Sequence, residues 1–202
     1  MKKILFAASE AVPFMKTGGL ADVTGSLPKY FDKKNYDVRV ILPKYVCMEE
    51  RWKGQLHFLC HFYVNLSWRK QYVGIFETTY DGITYYLVDN EFYFAGNAPY
   101  NNIYEDVEKF AFFSKAVLEA LPYLDFCPDI IHCHDWQTGL IPVYLKTEFA
   151  ANPFFWGIKT IMTIHNLRFQ GVWDIKTMRG LSGLPDELFT PDKLEFKKDA
   201  NM

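Results

Sequence analysis

The sequence predicts an α/β fold, in which a doubly wound parallel sheet carries an antiparallel β insertion. Continuous apolar runs at residues 4–8, 38–42, 130–133 and 160–164 are typical of parallel strands covered on both faces, and segments with helical spacing lie between them. An Asp-Gly pair at residues 81–82 joins two runs rich in aromatic and β-branched residues. This pair indicates an antiparallel hairpin in the middle of the chain.

The first elements follow in the order that a parallel sheet requires. The strand at residues 4–8 leads into a glycine turn at residues 16–19, and apolar residues then recur at helical spacing over residues 20–31. Gly25 and Pro28 lie inside this segment and should weaken or kink the helix. The second strand, at residues 38–42, comes directly after it.

The middle of the chain has a different pattern. Aromatic and β-branched runs at residues 56–66, 71–79 and 83–88 predict about three antiparallel strands. The segment at residues 103–121 then places its large apolar side chains on one stripe and most of its charged side chains off that stripe. This spacing predicts an amphipathic helix over residues 103–121.

Strand and helix alternate again in the last third of the chain. A strand at residues 130–133, a helix at about residues 138–149 and a strand at residues 160–164 complete the pattern of a parallel sheet with right-handed crossovers. The tail, residues 168–202, is rich in Gly and Pro and predicts loops and short helices with no closing element.

Composition and charge argue against several classes of function. The chain has 22 Lys+Arg against 24 Asp+Glu and an isoelectric point of about 6.2, whereas a dedicated nucleic-acid binder normally has a basic excess. No apolar run approaches the ~18 residues that a membrane span requires. The four cysteines form no CxxC pair, and no signal peptide is recognisable, so we expect free thiols in a cytoplasmic protein.

Polar side chains follow three of the predicted parallel strands. Glu10 comes after the first strand, residues 134–137 come after the third, and His165 with Asn166 come after the fourth. Ligands of an open α/β sheet bind beyond the carboxyl ends of its strands. We therefore expect these side chains to line a cleft that binds hydroxyl groups and a phosphate.

The glycine turn Lys16-Thr17-Gly18-Gly19 lies in the first of these loops. It matches neither the P-loop nor the GxGxxG pattern, so it does not indicate a nucleotide fingerprint. Glycine N–H groups at a helix start beside a lysine nevertheless suit a phosphate. Spacing alone favours the alternative, which is a glycine turn with a solvated lysine.

Four neighbouring side chains are potential metal ligands: His132, Cys133, His134 and Asp135. Strand alternation points the two histidines to one face and Cys133 and Asp135 to the other, so we expect no metal site. His134 and Asp135 could form a hydrogen-bonding pair for a polar substrate, or could be a strand-end histidine and a helix cap. The patterns of serine hydrolases and zinc proteases and the close carboxylate pair of glycosidases are not found.

Three strings indicate a family. They are KTGGLADV at residues 16–23, HDWQTGL at residues 134–140 and TIHNL at residues 163–167. With them, residues 3–171 resemble the bacterial glycogen synthase family, the ADP-glucose-using relatives of starch synthases.

The resemblance implies a retaining glycosyltransferase of the GT-B type, built from two Rossmann-like domains. Such an enzyme transfers glucose from ADP-glucose to the non-reducing 4-hydroxyl end of an α-1,4-glucan such as glycogen, without a metal or other cofactor. Residues 1–202 correspond to the N-terminal, acceptor-side domain, so the chain is expected to be a fragment that lacks its nucleotide-binding partner domain and is inactive alone. The alternatives are a non-enzymatic glucan- or sugar-binding module and another GT-B transferase with a UDP-sugar donor.

The resemblance also implies roles for individual residues. His165 would lie over the donor glucose and support an oxocarbenium-like transition state, with Asp135 beside the transferred sugar; these are the expected catalytic residues. Lys16 would bind ADP-glucose, and the N–H groups of Gly18 and Gly19 would meet its distal phosphate.

Further contacts with the two sugars are implied around the same cleft. They come from Asp22, Trp136, Gln137 and Asn166, with Glu10 and Tyr100 on the acceptor side. One departure from the family pattern is Ala95-Gly96, which stands where relatives tend to have Asp-Arg. The loop around Tyr100 is therefore expected to differ from that of the family.

Overall fold

The structure is a computed structural model that describes residues 1–124 and 126–202. The strands of its main sheet are β1 (Lys2–Ala7), β2 (Tyr36–Pro43), β3 (His57–Leu66), β4 (Arg69–Tyr80), β5 (Ile83–Asp89), β6 (Ile130–His134) and β7 (Lys159–Thr163). The α-helices are α1 (Gly19–Ser26), α2 (Glu50–Lys53), α3 (Ile103–Ala120), α4 (Leu140–Lys146) and α5 (Ile175–Ser182). No helix in the described ranges has both the length and the apolarity of a membrane span.

The parallel part of the sheet confirms the predicted fold class. Across the described residues the main sheet has the order β3-β4-β5-β2-β1-β6-β7. β1 pairs in parallel with both β2 and β6, β6 pairs in parallel with β7, and β2 pairs in parallel with β5. The four runs predicted to be parallel neighbours therefore are neighbours. From β1 the chain first adds β2 on one side of the sheet and later adds β6 and β7 on the other side, as in a doubly wound sheet.

The antiparallel strands extend one edge of this sheet. β3 pairs with β4, and β4 pairs with β5, both antiparallel. Asp81 and Gly82 join β4 to β5 with φ of 50° and 72°, the left-handed backbone that a tight hairpin requires. Because β5 is also the parallel partner of β2, the insertion continues the main sheet and does not form a separate layer.

Around β1, both faces of the sheet are buried against apolar side chains. Leu5 and Ala7 of β1 pack into the larger core, which includes α3 and α4. Ile4 and Phe6 pack into a smaller core on the opposite face, together with Phe14. Successive side chains of a strand point to opposite faces, so this double burial explains why the run is continuously apolar.

The edge strand β7 differs from β1 in its burial. Ile161 and Met162 are 48% and 40% exposed, and Ile164 after the strand is 60% exposed. The predicted cover on both faces was therefore wrong for residues 160–164.

The helices follow the predicted pattern with shifted ends. α3 begins after Asn102, whose side chain accepts hydrogen bonds from the backbone N–H groups of Tyr104 and Glu105 at 3.1 and 3.2 Å. α1 ends at Ser26 and continues as a 3-10 turn, Leu27–Tyr30, because Pro28 cannot extend an α-helix. α4 is shorter than the predicted helix at residues 138–149.

The tail differs from its prediction. It forms the strands β8 (Val172–Asp174), β9 (Glu195–Phe196) and β10 (Asp199–Asn201), which pair antiparallel in the order β8-β10-β9. Ala200, with neighbours such as Met178 and Phe189, joins the larger core. Strands of two or three residues are too short to show periodicity, so the expectation of loops and short helices without a closing element was wrong for these segments.

Gly25 lies where α1 closely approaches the segment before it. A Cβ atom at Gly25 would stand 2.4 Å from the backbone oxygen of Val12 and 2.4 Å from its Cγ2. Since backbone would have to move, we expect Gly25→Ala to lower the free energy of unfolding by about 2 kcal/mol, as measured by urea denaturation.

The matched control for this substitution is Gly180→Ala. Gly180 is an exposed residue of α5, and an added Cβ there would meet nothing within 4 Å. We expect this change to raise stability by about 0.5–1 kcal/mol, because alanine is the better helix former. A Gly25→Ala protein as stable as the wild type would contradict the close approach between α1 and Val12.

Candidate active site

A cleft of about 810 Å³ opens at the carboxyl ends of β1, β6 and β7. The predicted site residues that line it are Glu10, Gly18, Gly19, Tyr100, Asp135, Trp136, Gln137, His165 and Asn166. The expectation that ligands bind beyond the carboxyl ends of the parallel strands therefore located the cleft, since residues from distant parts of the chain meet there as predicted.

Lys16 and Asp22 are the predicted site residues that the lining does not include. The ammonium of Lys16 contacts both carboxylate oxygens of Asp22, at 2.7 and 2.8 Å. Their side chains are 52% and 55% exposed, so the pair is a weak surface ion pair next to the cleft residue Thr17. Asp22 is thus placed to hold Lys16, while any contact of either with substrate stays a prediction.

The glycine turn presents the start of a helix to the cleft. Gly19 is the first residue of α1, and Gly18 before it has extended backbone. No side chain of the described residues caps this helix end, which leaves its first N–H groups free for a ligand. A helix N-terminus carries partial positive charge, so the geometry suits a phosphate oxygen.

Glu10 is a buried residue at the centre of a partly buried hydrogen-bond network beside this turn. It is 2% exposed and accepts hydrogen bonds from the backbone N–H of Thr17, from the Thr17 hydroxyl at 2.8 Å and from the Tyr100 hydroxyl at 2.5 Å. Tyr100 has one proton and gives it to Glu10, so the Ser9 hydroxyl donates to the Tyr100 oxygen at 2.8 Å. Burial and the charge of Glu10 raise the pKa of Tyr100, which keeps this proton in place.

Asp135 connects the ends of two strands. Its Oδ1 accepts a hydrogen bond from the backbone N–H of His165 at 2.7 Å, and its own N–H donates to the Thr163 carbonyl at 2.9 Å. Its φ of 58° with ψ of 177° is a conformation that costs a non-glycine residue free energy. Strained backbone of this kind is concentrated at functional sites, and here it lies in the cleft wall.

His134 does not face the cleft. It is fully buried, and its Nδ1 lies 3.0 Å from Nε2 of His165. Burial, with smaller contributions from His132 and His165, lowers the pKa of His134 to about 3, so the ring is neutral near pH 7. The idea that His134 and Asp135 together bind substrate is therefore wrong for His134, which contacts His165 instead.

The predicted alternation of residues 132–135 is confirmed for the first three. His132 stacks on His134 with ring centroids 4.1 Å apart, while Cys133 packs into the larger core on the other face. Within residues 1–124 and 126–202, no three His, Cys, Asp or Glu side chains are grouped so that they could hold a metal ion.

Comparison with known proteins assigns the chain to a family. Residues 3–202 match the family model described as starch synthase catalytic domain. The chain belongs to this starch synthase family.

Curated relatives of this starch synthase domain are named glycogen synthase. The protein of Lachnoclostridium phytofermentans is 66% identical over 201 residues, which cover 100% of this chain and 42% of the relative. That of Lachnospira eligens is 64% identical with the same coverage, and that of Clostridium perfringens is 50% identical over 194 residues, or 96% and 40% of the two chains. The chain thus spans about two fifths of the length of these relatives.

A solved structure of a starch synthase has the same fold. The catalytic domain of Starch Synthase IV from Arabidopsis thaliana, bound to ADP and acarbose, superposes with a TM-score of 0.85 at 29% sequence identity. The match covers 99% of this chain and 41% of that chain. The fold of this starch synthase domain is therefore that of the N-terminal part of a longer catalytic domain.

Other residues of this starch synthase domain line the cleft and were not singled out from the sequence. Among them are Arg168 and Gln170 after β7, and Asn101 and Asp106 near the start of α3. Arg168 and Gln170 could have been predicted from their place after a parallel strand, because they lie in the same loop as His165 and Asn166. For the start of α3, the role that the resemblance implied for Tyr100 was the one indication that this end of the helix approaches the cleft.

Proposed function

We propose that the full-length protein is a glucosyltransferase that moves glucose from ADP-glucose to the non-reducing 4-hydroxyl end of an α-1,4-glucan such as glycogen, with retention of configuration. The observation that carries this proposal is the cleft itself, which joins an uncapped helix N-terminus to polar side chains at three strand ends, and such side chains can form hydrogen bonds with sugar hydroxyls. The names of the relatives and the ADP and acarbose of the related plant structure support the choice of donor and acceptor.

The phosphate side of the reaction is assigned to the glycine turn. In the proposed complex the N–H groups of Gly18 and Gly19 bind the phosphate next to the glucose, and Lys16 adds a positive charge. An exposed ion pair contributes only ~0–1 kcal/mol, so the diphosphate, which carries two negative charges, can compete with Asp22 for Lys16. These groups stabilise the diphosphate as it leaves with the electron pair of the broken bond.

The sugar side is assigned to the ends of β6 and β7. As the bond between C1 and the phosphate oxygen breaks, positive charge develops at the anomeric centre, and His165 with Asp135 are proposed to stabilise it. The acceptor 4-hydroxyl then forms the new bond to C1 on the face that the diphosphate leaves and passes its proton to a departing phosphate oxygen, so ADP is the second product. Asn166, Trp136 and Gln137 are proposed to hold the sugar hydroxyls, with Glu10 and Tyr100 fixing the acceptor side of the cleft.

The donor sugar already carries an activated bond, so this reaction needs no metal or other cofactor in our proposal. The adenine nucleotide is proposed to lie against a second domain of the full-length protein, which would supply further cations for the diphosphate. We place the reaction in the cytoplasm, which is supported by the free thiols of Cys47, Cys60, Cys127 and Cys133.

The experiment that tests this function measures glucose incorporation into glycogen by the full-length protein, with ADP-glucose and UDP-glucose compared at equal concentrations. We expect incorporation from ADP-glucose, and a product that an α-1,4-specific glucanase digests. Preference for UDP-glucose would instead show another GT-B transferase. Binding of glycogen without transfer from either donor would show a non-enzymatic binding module.

Lys16→Ala separates phosphate binding from the chemical step. If Lys16 holds the diphosphate in the ground state and the transition state alike, its removal should raise the KM for ADP-glucose about tenfold and change kcat less. Lys29→Ala is a matched control, because Lys29 is also paired with an aspartate, Asp81 at 2.6 Å, and is not part of the cleft lining. A Lys16→Ala enzyme with unchanged KM would remove Lys16 from the donor site.

A further inference from the structure

A column of three histidine rings runs from the cleft into the interior. His165 lines the cleft, His134 behind it is fully buried, and His132 stacks on His134 with an interplanar angle of 29°. Phe6 covers the column, with its ring centroid 5.2 Å from that of His134. The mechanism proposed above uses only His165, so the buried His134 has no role in it.

One hydrogen bond joins this column to the cleft. Nδ1 of His134 and Nε2 of His165 are 3.0 Å apart, and the two rings are within 18° of parallel. This bond engages Nε2 of His165, while Nδ1 of His165 has no hydrogen-bond partner among the described residues. The ring is therefore turned so that Nδ1 is the nitrogen free to meet a ligand.

The surroundings of His134 indicate which ring donates the hydrogen bond. His134 is neutral near pH 7 because of its burial, so it carries one N–H. Its Nε2 is buried and has no partner within the described part of the chain. A proton on Nε2 would be an unsatisfied buried donor, whereas a proton on Nδ1 is accepted by His165, and orphaned buried N–H groups are rarer than orphaned acceptors.

We infer that His134 is a positioning residue, which donates its Nδ1–H to Nε2 of His165 and so fixes both the orientation and the tautomer of that ring. His165 is then a neutral imidazole whose one proton is on Nδ1, and it offers an N–H donor to the sugar site. This inference deepens the proposed function and rests on it for the kinetic consequence, whereas the tautomer can be tested without any activity.

The tautomer is tested by NMR of the chain labelled with ¹⁵N-histidine, which contains 5 histidines. The signals of His165 are assigned by their loss in His165→Gln. We expect the wild-type spectrum near pH 7 to show Nδ1 of His165 protonated and Nε2 unprotonated. A protonated Nε2 on His165 would overturn the inference, because the bond would then run in the opposite direction.

Kinetics of the full-length protein test the positioning. His134→Phe keeps a ring in the column and removes the donor, so we expect kcat to fall about tenfold with little change in the KM for ADP-glucose. His134→Asn should recover most of this loss, because its amide nitrogen can take the place of Nδ1 and donate to His165. His132→Phe is the matched packing control and should keep kcat near the wild-type value.

The outcomes separate this inference from a purely structural role. Equal kcat in wild type, His134→Phe and His134→Asn would overturn it, and so would equal losses in the two variants when thermal melts show both to be folded. If His134→Phe does not fold, the tautomer of His165 and the kinetics of His134→Asn still show whether His134 positions the His165 ring. A wild-type protein without transferase activity would overturn the proposed function, while the NMR result would continue to test the His134 bond.

Discussion

His165→Ala in the full-length protein is expected to lower kcat about a hundredfold, or ~2.7 kcal/mol, with little change in the KM for ADP-glucose. The reason is that in the proposed mechanism charge develops on the sugar only in the transition state, so a group that stabilises this charge affects kcat selectively. The substitution isolates the imidazole, because the hydrogen bond from the backbone N–H of residue 165 to Asp135 does not depend on the side chain. Steady-state kinetics with varied ADP-glucose measure both constants.

The control for this prediction is His61→Ala, which removes an exposed histidine from β3, outside the cleft lining. It should leave kcat and KM unchanged. Thermal melts of both variants show whether activity is lost through unfolding. An unchanged kcat in His165→Ala, or inactivity that accompanies a collapsed melting temperature, would remove the catalytic assignment.

Glu10→Ala is expected to lower the free energy of unfolding by about 3 kcal/mol. The substitution leaves the hydroxyl of the partly buried Tyr100 and both donors of the exposed Thr17 without their acceptor, Glu10, which is itself 2% exposed. Hydrogen bonds to a charged group contribute ~1.5–3 kcal/mol each, and water can reach part of the gap from the cleft and offset some of the loss. Urea denaturation of the wild type and the variant gives the difference.

Glu91→Ala serves as the matched control for Glu10→Ala, since Glu91 is an exposed glutamate in the loop after β5. A change there should stay within about 0.5 kcal/mol. Glu10→Gln should fall between the two, because an amide oxygen in the Oε1 position can still accept from the Thr17 and Tyr100 hydroxyls, whereas the amide NH2 presents a second donor to the Thr17 N–H. If Glu10→Ala were as stable as Glu91→Ala, the network around Glu10 would not hold the glycine turn.

Much of the fold could be predicted because its central strands β1 and β2 are buried on both faces. Such strands have to be apolar at every position, and runs such as residues 4–8 and 38–42 stand out from the surrounding sequence. The hairpin at Asp81-Gly82 was predictable because its turn needs a left-handed backbone that few residue types adopt readily. The cleft followed from topology, since parallel strands end at one edge of the sheet.

The tail could not be predicted by the same reasoning. The turn between β9 and β10 puts Lys197 and Lys198 at φ of 54° and 75°, where sequence rules expect glycine or asparagine. Packing of Ala200 against the main core supports this hairpin, and that packing is a tertiary effect. Local sequence propensity therefore could not predict the hairpin of β9 and β10.

The candidate site was predicted as a set of residues but not as a set of contacts. Strand alternation correctly put His132 and His134 on one face, yet it could not show that His165 closes the column from another strand. The ion pair between Lys16 and Asp22 likewise depends on how the glycine turn bends back over α1. Contacts between elements need three-dimensional positions that spacing in one chain does not give.

The backbone of Asp135 has a consequence for how this domain can evolve and be engineered. A glycine would adopt its φ of 58° without strain, and a compatible residue relieves ~1–3 kcal/mol at such a position. Glycine would also remove the carboxylate that accepts the hydrogen bond from the backbone N–H of His165, and a hydrogen bond to a charged group contributes a similar ~1.5–3 kcal/mol. A screen for heat resistance alone can therefore accept glycine at this position at little net cost, while the carboxylate that the proposed mechanism uses is lost, so residue 135 should be left unvaried in such libraries.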